Sequence, residues 1–180
     1  VNPKFTFDYF RVYKHRPGFT EGDKNGNWIV INKQGFRRNK HVSKIKPRNT
    51  FRIFLMGGSA AHGISSSPPN PIVNIYMNQT IDAYLEALLH KKYPGKNFEV
   101  INAAVTGYQC FQHTAYLLSE IIDYHPDMVF FFDGMNDHFI DNVDYDYYND
   151  NRYLFWKTHL EQPSLSGMKD YFILWLSKYS

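Results

Sequence analysis

The chain has 180 residues, of which 43% are hydrophobic and 18% aromatic. This length and apolar content predict one folded domain with a real core and exclude a largely disordered protein. The longest apolar runs are far shorter than the roughly 20 residues that a membrane-spanning helix needs, so we expect no membrane span. The single cysteine, Cys110, excludes an internal disulfide and a cysteine-rich metal site.

Positive charge is concentrated near the beginning of the chain. Residues 1–52 hold 13 lysines and arginines against 3 acids, whereas residues 53–180 hold 7 against 14. A basic stretch can bind nucleic acid or acidic lipid headgroups, or it can dock as a solvated arm against the acidic remainder. We expect docking and no nucleic-acid partner, because the segment has no RNA-binding or helix-turn-helix signature. The basic residues concerned are Arg37, Arg38, Lys40, Lys44, Lys46 and Arg48.

From residue 51 onward, short apolar runs alternate with helical patterns. The run 51–56 stops at Gly57 and predicts a strand buried on both faces. Apolar residues then recur with helical spacing over 81–89, and Pro94 closes that helix. Residues 1–50 are therefore assigned to a basic lead-in segment, and the folded domain is assigned to 51–180.

A second strand, a second helix and a third strand follow. The strands are predicted over 98–101 and 128–132, and the helix over 116–122. Strands and helices in alternation, with right-handed crossovers, build a parallel sheet that helices cover. The predicted fold class is therefore α/β.

The loops after the three strands are the expected place for chemistry, because ligands bind at the carboxyl ends of parallel strands. Ser59 follows two glycines at the first of these ends, where little would cover its hydroxyl and a helix start would lie behind it. A serine that attacks an ester needs hydrogen-bond donors for the resulting oxyanion. The backbone N–H groups of Ser59 and Gly107 and the side-chain amide of Asn136 are the candidates.

Other roles are open to these residues when each is taken alone. Ser59 suits a helix N-cap, and Asn136 suits an Asx turn. A nucleotide or phosphate site at the glycine-rich turn is a weaker alternative. The segment 57–63 lacks the Lys-Ser/Thr of a P-loop and does not spell Gly-x-Gly-x-x-Gly.

Taken together, the three strand-end motifs resemble the SGNH, or GDSL-like, serine esterases and acyl hydrolases. The matching residues are Gly57-Gly58-Ser59 with Gly63, Gly107 in the second loop, and Gly134-Met135-Asn136-Asp137 in the third. The resemblance implies a flavodoxin-like three-layer α/β/α sandwich. It implies that Ser59 is the nucleophile, that Gly107 and Asn136 form the oxyanion hole, and that no cofactor or metal is needed. The implied substrate is an O-acyl ester of a small molecule or carbohydrate, such as an O-acetyl carbohydrate, or of a lipid.

The family's last motif, an Asp-x-x-His near the C-terminus, has no counterpart in this sequence. We therefore expect the sequence to be the N-terminal part of a longer protein, with a sheet that is incomplete at its C-terminal side. Within the 180 residues, His62 and His138 are the candidate general bases because they are near Ser59 and Asn136 in sequence. We expect His62 to face the rim of the crevice. The remaining histidines show no metal-ligand spacing.

Two further functions remain open on the same fold. One is an O-acyltransferase, and the other is a non-catalytic module that binds acylated polysaccharide because it lacks a base.

An acidic and aromatic stretch follows the third strand. Residues 133–150 include six aspartates and no lysine or arginine. This stretch is compatible with a calcium site, a substrate-facing flap or a plain surface loop, although its spacing does not follow an EF-hand loop. The apolar segment 165–179 suits core or interface packing, with an amphipathic helix on a membrane as the alternative.

Overall fold

The structure is a computed structural model and describes residues 4–22, 28–65, 73–74, 77 and 79–141. Two antiparallel hairpins open the chain, β1 (Phe5–Asp8) with β2 (Val12–His15) and β3 (Thr20–Gly22) with β4 (Trp28–Val30). The sequence pattern did not predict these hairpins, because glycines and prolines interrupt this segment without strand periodicity.

The elements of the main layer follow in chain order. They are β5 (Thr50–Gly57), α1 (Ser59–His62), β6 (Ile64–Ser65), β7 (Val73–Asn74), α2 (Ile81–Lys92), β8 (Asn97–Asn102), α3 (Cys110–Ser119), a 3₁₀ helix (Ile121–Tyr124), β9 (Met128–Phe132) and α4 (Met135–Asp141).

A parallel three-stranded sheet forms the centre of the fold. β5 lies between β8 and β9, and Ile53 of β5 is opposite Val100 on one side and Met128 on the other. The predicted α/β class and the three predicted strands are confirmed. The second predicted helix is also found, but it begins at Cys110 and gives way to the 3₁₀ helix. The helix α4 was not predicted.

The larger core cluster lies on one face of β5 and includes the N-terminal segment, and a smaller cluster around Leu55 lies on the other face. Phe54 and Met56 of β5 pack in one cluster with Tyr13, Phe36 and Val42, all of which are buried. The lead-in segment is therefore part of the packed core rather than an appendage to it.

Ion pairs tie the basic segment to the acidic part of the chain. Lys44 Nζ lies 2.7 Å from Asp123 Oδ2, and Lys46 Nζ lies 2.5 Å from Asp127 Oδ1. The predicted docking is confirmed. The expectation of a solvated arm was wrong for Arg37, which is only 1% exposed. Burial lowers the pKa of its guanidinium to about 10. Its backbone N–H donates to the carbonyl of Asn102.

β9 is more exposed to solvent than β5. In the described part of the chain it pairs on one side only, and Phe130, Phe131 and Phe132 are each about half exposed (53%, 49% and 51%). The second half of the acidic stretch, residues 142–150, and the apolar segment 165–179 lie outside the described residues. None of the described helices has the length and apolar character needed to cross a bilayer.

Candidate active site

Close packing explains the two glycines before Ser59. A Cβ on Gly57 would lie 2.2 Å from the carbonyl oxygen of Phe132, and a Cβ on Gly58 would lie 2.5 Å from Nδ2 of Asn136. A side chain at either position would therefore collide with the end of β9 or with the residue predicted as an oxyanion donor. The glycines bring the first and third strand ends together.

Ser59 is the first residue of α1 and is half-buried. Its hydroxyl makes no hydrogen bond with a described residue. α1 is a single turn that ends at Gly63 in the left-handed conformation (φ +95°), so it places only a small helix dipole behind the serine. The serine opens into a cavity of about 310 Å³. The cavity is lined by Gly58, Ser59, Ala60, Phe132, Asp133, Met135 and Asn136.

Asn136 is held by a hydrogen bond from the third loop to the second. Its Nδ2 donates to the carbonyl oxygen of Tyr108 at 2.7 Å. A primary amide has two N–H donors, and among the described residues no acceptor takes the other one. Asn136 thus keeps a donor for a substrate oxygen in the cavity that it shares with Ser59.

Gly107 lies in the turn that precedes Tyr108. The turn is closed by a hydrogen bond from the Tyr108 N–H to the Val105 carbonyl, and the Val105 N–H in turn donates to the carbonyl of Gly57. The positive φ of Gly107, +80°, is a conformation that glycine adopts without strain. Gly107 does not line the cavity of Ser59. The structure therefore brings Ser59 and Asn136 together and places Gly107 next to the residue that holds Asn136.

A second bond joins the same two loops. The backbone N–H of Cys110, at the start of α3, donates to both carboxylate oxygens of Asp137, at 3.1 and 3.2 Å. The Cys110 sulfur and the carboxylates of Asp133 and Asp137 lie within 4.8 Å of one another. Because the Asp137 carboxylate already accepts from the backbone, these groups have a structural explanation, and we assign no metal to them.

A buried histidine at the edge of the cavity was not predicted. His113 is 1% exposed, and its Nε2 lies 2.8 Å from Oδ2 of Asp133, a cavity residue. Burial lowers the pKa of His113, against the opposing charge of Asp133. Asp133 follows the carboxyl end of β9, where ligands bind in parallel sheets, so its position near the cavity could be predicted from the sequence. Its partner on α3, 20 residues earlier in the chain, had no comparable signal.

The two histidines considered as bases do not line the cavity of Ser59. His62 is 5% exposed, so the expectation that it faces the rim of the crevice was wrong. Its ring lies 5.0 Å from that of His15, beneath the N-terminal hairpins. Burial and the neighbouring His15 hold the pKa of His62 well below its usual value. His138 lies in α4 and is exposed.

No protein-family model matches the chain, and no curated protein matches its sequence significantly.

Proposed function

We propose that the protein is a serine esterase or acyl hydrolase that cleaves an O-acyl ester. The observation that supports this proposal best is the shared cavity of Ser59 and Asn136 at the carboxyl ends of β5 and β9. The resemblance of the three strand-end motifs to SGNH hydrolases supports it further. On this proposal, the parallel sheet is the centre of a flavodoxin-like three-layer sandwich.

The reaction begins at the Ser59 hydroxyl. Its Oγ attacks the carbonyl carbon of the ester, and its proton passes to a general base. The C–O bond to the leaving group then breaks, the base returns the proton to the departing alkoxide, and an acyl-Ser59 ester remains. Water attacks this ester by the same route in reverse and releases the acid, so the serine is restored.

Hydrogen-bond donors stabilise the negative oxygen of each tetrahedral intermediate. The free N–H of Asn136 and the backbone N–H of Ser59 are the proposed donors at the cavity, and the family resemblance adds the N–H of Gly107. Each donor contributes most when it is fixed before the reaction. The bond from Asn136 to the Tyr108 carbonyl supplies this fixation.

The general base is the part of the reaction that the described residues leave open. The resemblance implies a histidine outside the three matched motifs, whereas among the described residues no histidine lines the cavity. This observation favours one alternative, a non-catalytic module that binds acylated polysaccharide. Such a module would bind acetylated xylan or pectin with no release of acetate by the wild-type protein.

Substitution of the nucleophile tests the proposed function. In the full-length protein, Ser59→Ala should abolish turnover of p-nitrophenyl acetate, with a loss of roughly 10⁶ in kcat where the catalytic set is complete. The matched control is Ser119→Ala, because Ser119 is an exposed serine at the end of α3. Wild-type turnover in Ser59→Ala would remove Ser59 from the mechanism.

A further inference from the structure

A second large cavity lies at the opposite end of the sheet from Ser59. It is a groove of about 920 Å³ at the amino ends of β5 and β8. β5 separates it from Ser59 by its eight residues, or roughly 25 Å of extended chain. The groove is lined by Lys46, Pro47, Arg48, Asn49, Thr50, Phe51, Tyr93, Gly95, Lys96, Asn97 and Phe98.

Three aromatic rings form one continuous surface in this groove. The ring of Phe98 lies 6.3 Å from that of Phe51 and 6.0 Å from that of Tyr93. Phe51 and Tyr93 are 40% and 41% exposed, so their rings meet solvent although they are large and mostly apolar. The ring planes of these two pairs are tilted by 58° and 42°, so a flat apolar face stacks on one exposed ring at a time, and burial of that ring is favourable.

Positive charge borders the aromatic surface. Arg48 and Lys96 line the groove, and Lys92 and Lys96 place Nζ 5.6 and 5.7 Å from the centre of the Tyr93 ring. Within the described part of the chain, none of these three forms an ion pair with an acid. Lys46, by contrast, is paired with Asp127. The groove therefore has cationic groups whose counter-charges the described chain does not supply.

We propose that this groove binds an acidic carbohydrate chain built from uronic acids. The C–H face of a sugar ring covers the aromatic surface, and the carboxylates of the same chain pair with the cations at its border. Arg48 suits this role because a guanidinium binds a carboxylate through two parallel hydrogen bonds. Lys92 and Lys96 supply compact charges, since their Nζ atoms lie 5.6 and 5.7 Å from the centre of the Tyr93 ring.

Two other kinds of polyanion fit the groove less well. Single-stranded nucleic acid stacks successive bases on a series of aromatic side chains along a groove, whereas here the three rings form one cluster, with Phe98 beside both Phe51 and Tyr93. It also gains affinity from many phosphate contacts, whereas only Arg48 and Lys96 line the groove as cations without an ion pair to a described acid, and Lys92 lies beside it. An anionic bilayer is flat, whereas this surface is concave.

Isothermal titration of the full-length protein with hexagalacturonate tests the proposal. The double variant R48Q/K96Q should bind at least tenfold more weakly than wild type, and Tyr93→Ala should also weaken binding. The matched control is K33Q/K40Q, which removes the same charge from exposed lysines that do not line the groove. Neutral maltohexaose should not bind detectably.

The remaining outcomes decide against the proposal. Equal affinity of R48Q/K96Q and K33Q/K40Q would show that net charge, and not the groove, binds the sugar. Tighter binding of a dT10 oligonucleotide or of phosphatidylserine vesicles, lost in the same variant, would assign the groove to nucleic acid or to a membrane.

Because the groove does not include Ser59, Ser59→Ala should bind the sugar like wild type, and this holds whether or not the proposed esterase activity is found.

Discussion

At the scale of single residues, the candidate site depends on the absence of a side chain at Gly58. Gly58 leaves room for the amide of Asn136, which would otherwise meet a Cβ at 2.5 Å. The amide is the end of a side chain and can move, so a larger residue at position 58 displaces Asn136 without unfolding the chain. The geometry thus links the identity of residue 58 to the oxyanion hole.

Gly58→Ala should therefore reduce kcat for p-nitrophenyl acetate while it changes the melting temperature little. Asn136→Ala should cost on the order of 10² to 10³ in kcat, the usual effect of losing one oxyanion donor. The two changes act on the same group, so the double variant should be no slower than Asn136→Ala alone. Multiplicative losses would show that Gly58 acts by another route.

The buried histidines predict how stability depends on pH. Burial lowers the pKa of His15 to about 4, and the pKa of His62 is also well below its usual value. In the unfolded chain both rings take up a proton near pH 6.5, so the unfolded state binds more protons as the pH falls. The free energy of unfolding should therefore decrease between about pH 6.5 and pH 4, by about 1 to 3 kcal/mol for one such group.

Urea unfolding at several pH values measures this decrease. His15→Gln should flatten the dependence between pH 6.5 and pH 4 even if it lowers stability throughout. His90→Gln, at an exposed position on α2, is the control and should leave the slope as in wild type. A slope that His15→Gln does not change would show that other groups govern stability in this range.

At the scale of elements, β5 is the strand on which the fold is built. Arg52, opposite Glu99 in the register with β8, is fully buried, and its Nε donates to Glu99 Oε2 at 2.7 Å. Its Nη1 donates to the carbonyls of Ser43 and Tyr124. One side chain therefore connects the N-terminal segment, the sheet and the 3₁₀ helix.

Removal of the carboxylate from this pair should destabilise the whole fold. Glu99→Gln leaves the buried Arg52 without its counter-charge and should lower the free energy of unfolding by about 2 to 3 kcal/mol, since Glu99 itself is partly exposed. Asp123→Asn breaks the exposed pair with Lys44 and should cost much less. Similar losses in the two variants, measured by urea unfolding, would contradict this account.

The strands of the sheet were predictable because their signal is local. The runs around Phe54 and Val100 are apolar and end at turn residues, and both strands formed within two residues of the expected bounds. The N-terminal hairpins carry no such periodicity, because their side chains alternate irregularly between core, ion pairs and solvent. α4 was missed because its residues were assigned to the third loop.

At the scale of the whole molecule, the site forms where loops from distant parts of the chain meet. Ser59 and Asn136 were predictable as neighbours because the carboxyl ends of parallel strands lie at one edge of a sheet. The contact of His113 with Asp133 depends on how α3 packs, and the burial of His62 depends on hairpins that the sequence pattern did not reveal. Tertiary packing determines the positions of these two histidines, and no short sequence motif predicts that packing.

Covalent labelling tests whether Ser59 is the activated nucleophile. The full-length protein is incubated with a fluorophosphonate, which reacts with activated serines, and the adduct is located by peptide mass mapping. We expect a single adduct on Ser59 that is absent from Ser59→Ala and forms more slowly in Asn136→Ala. An adduct on another serine, or an unlabelled protein that still hydrolyses p-nitrophenyl acetate, would contradict it.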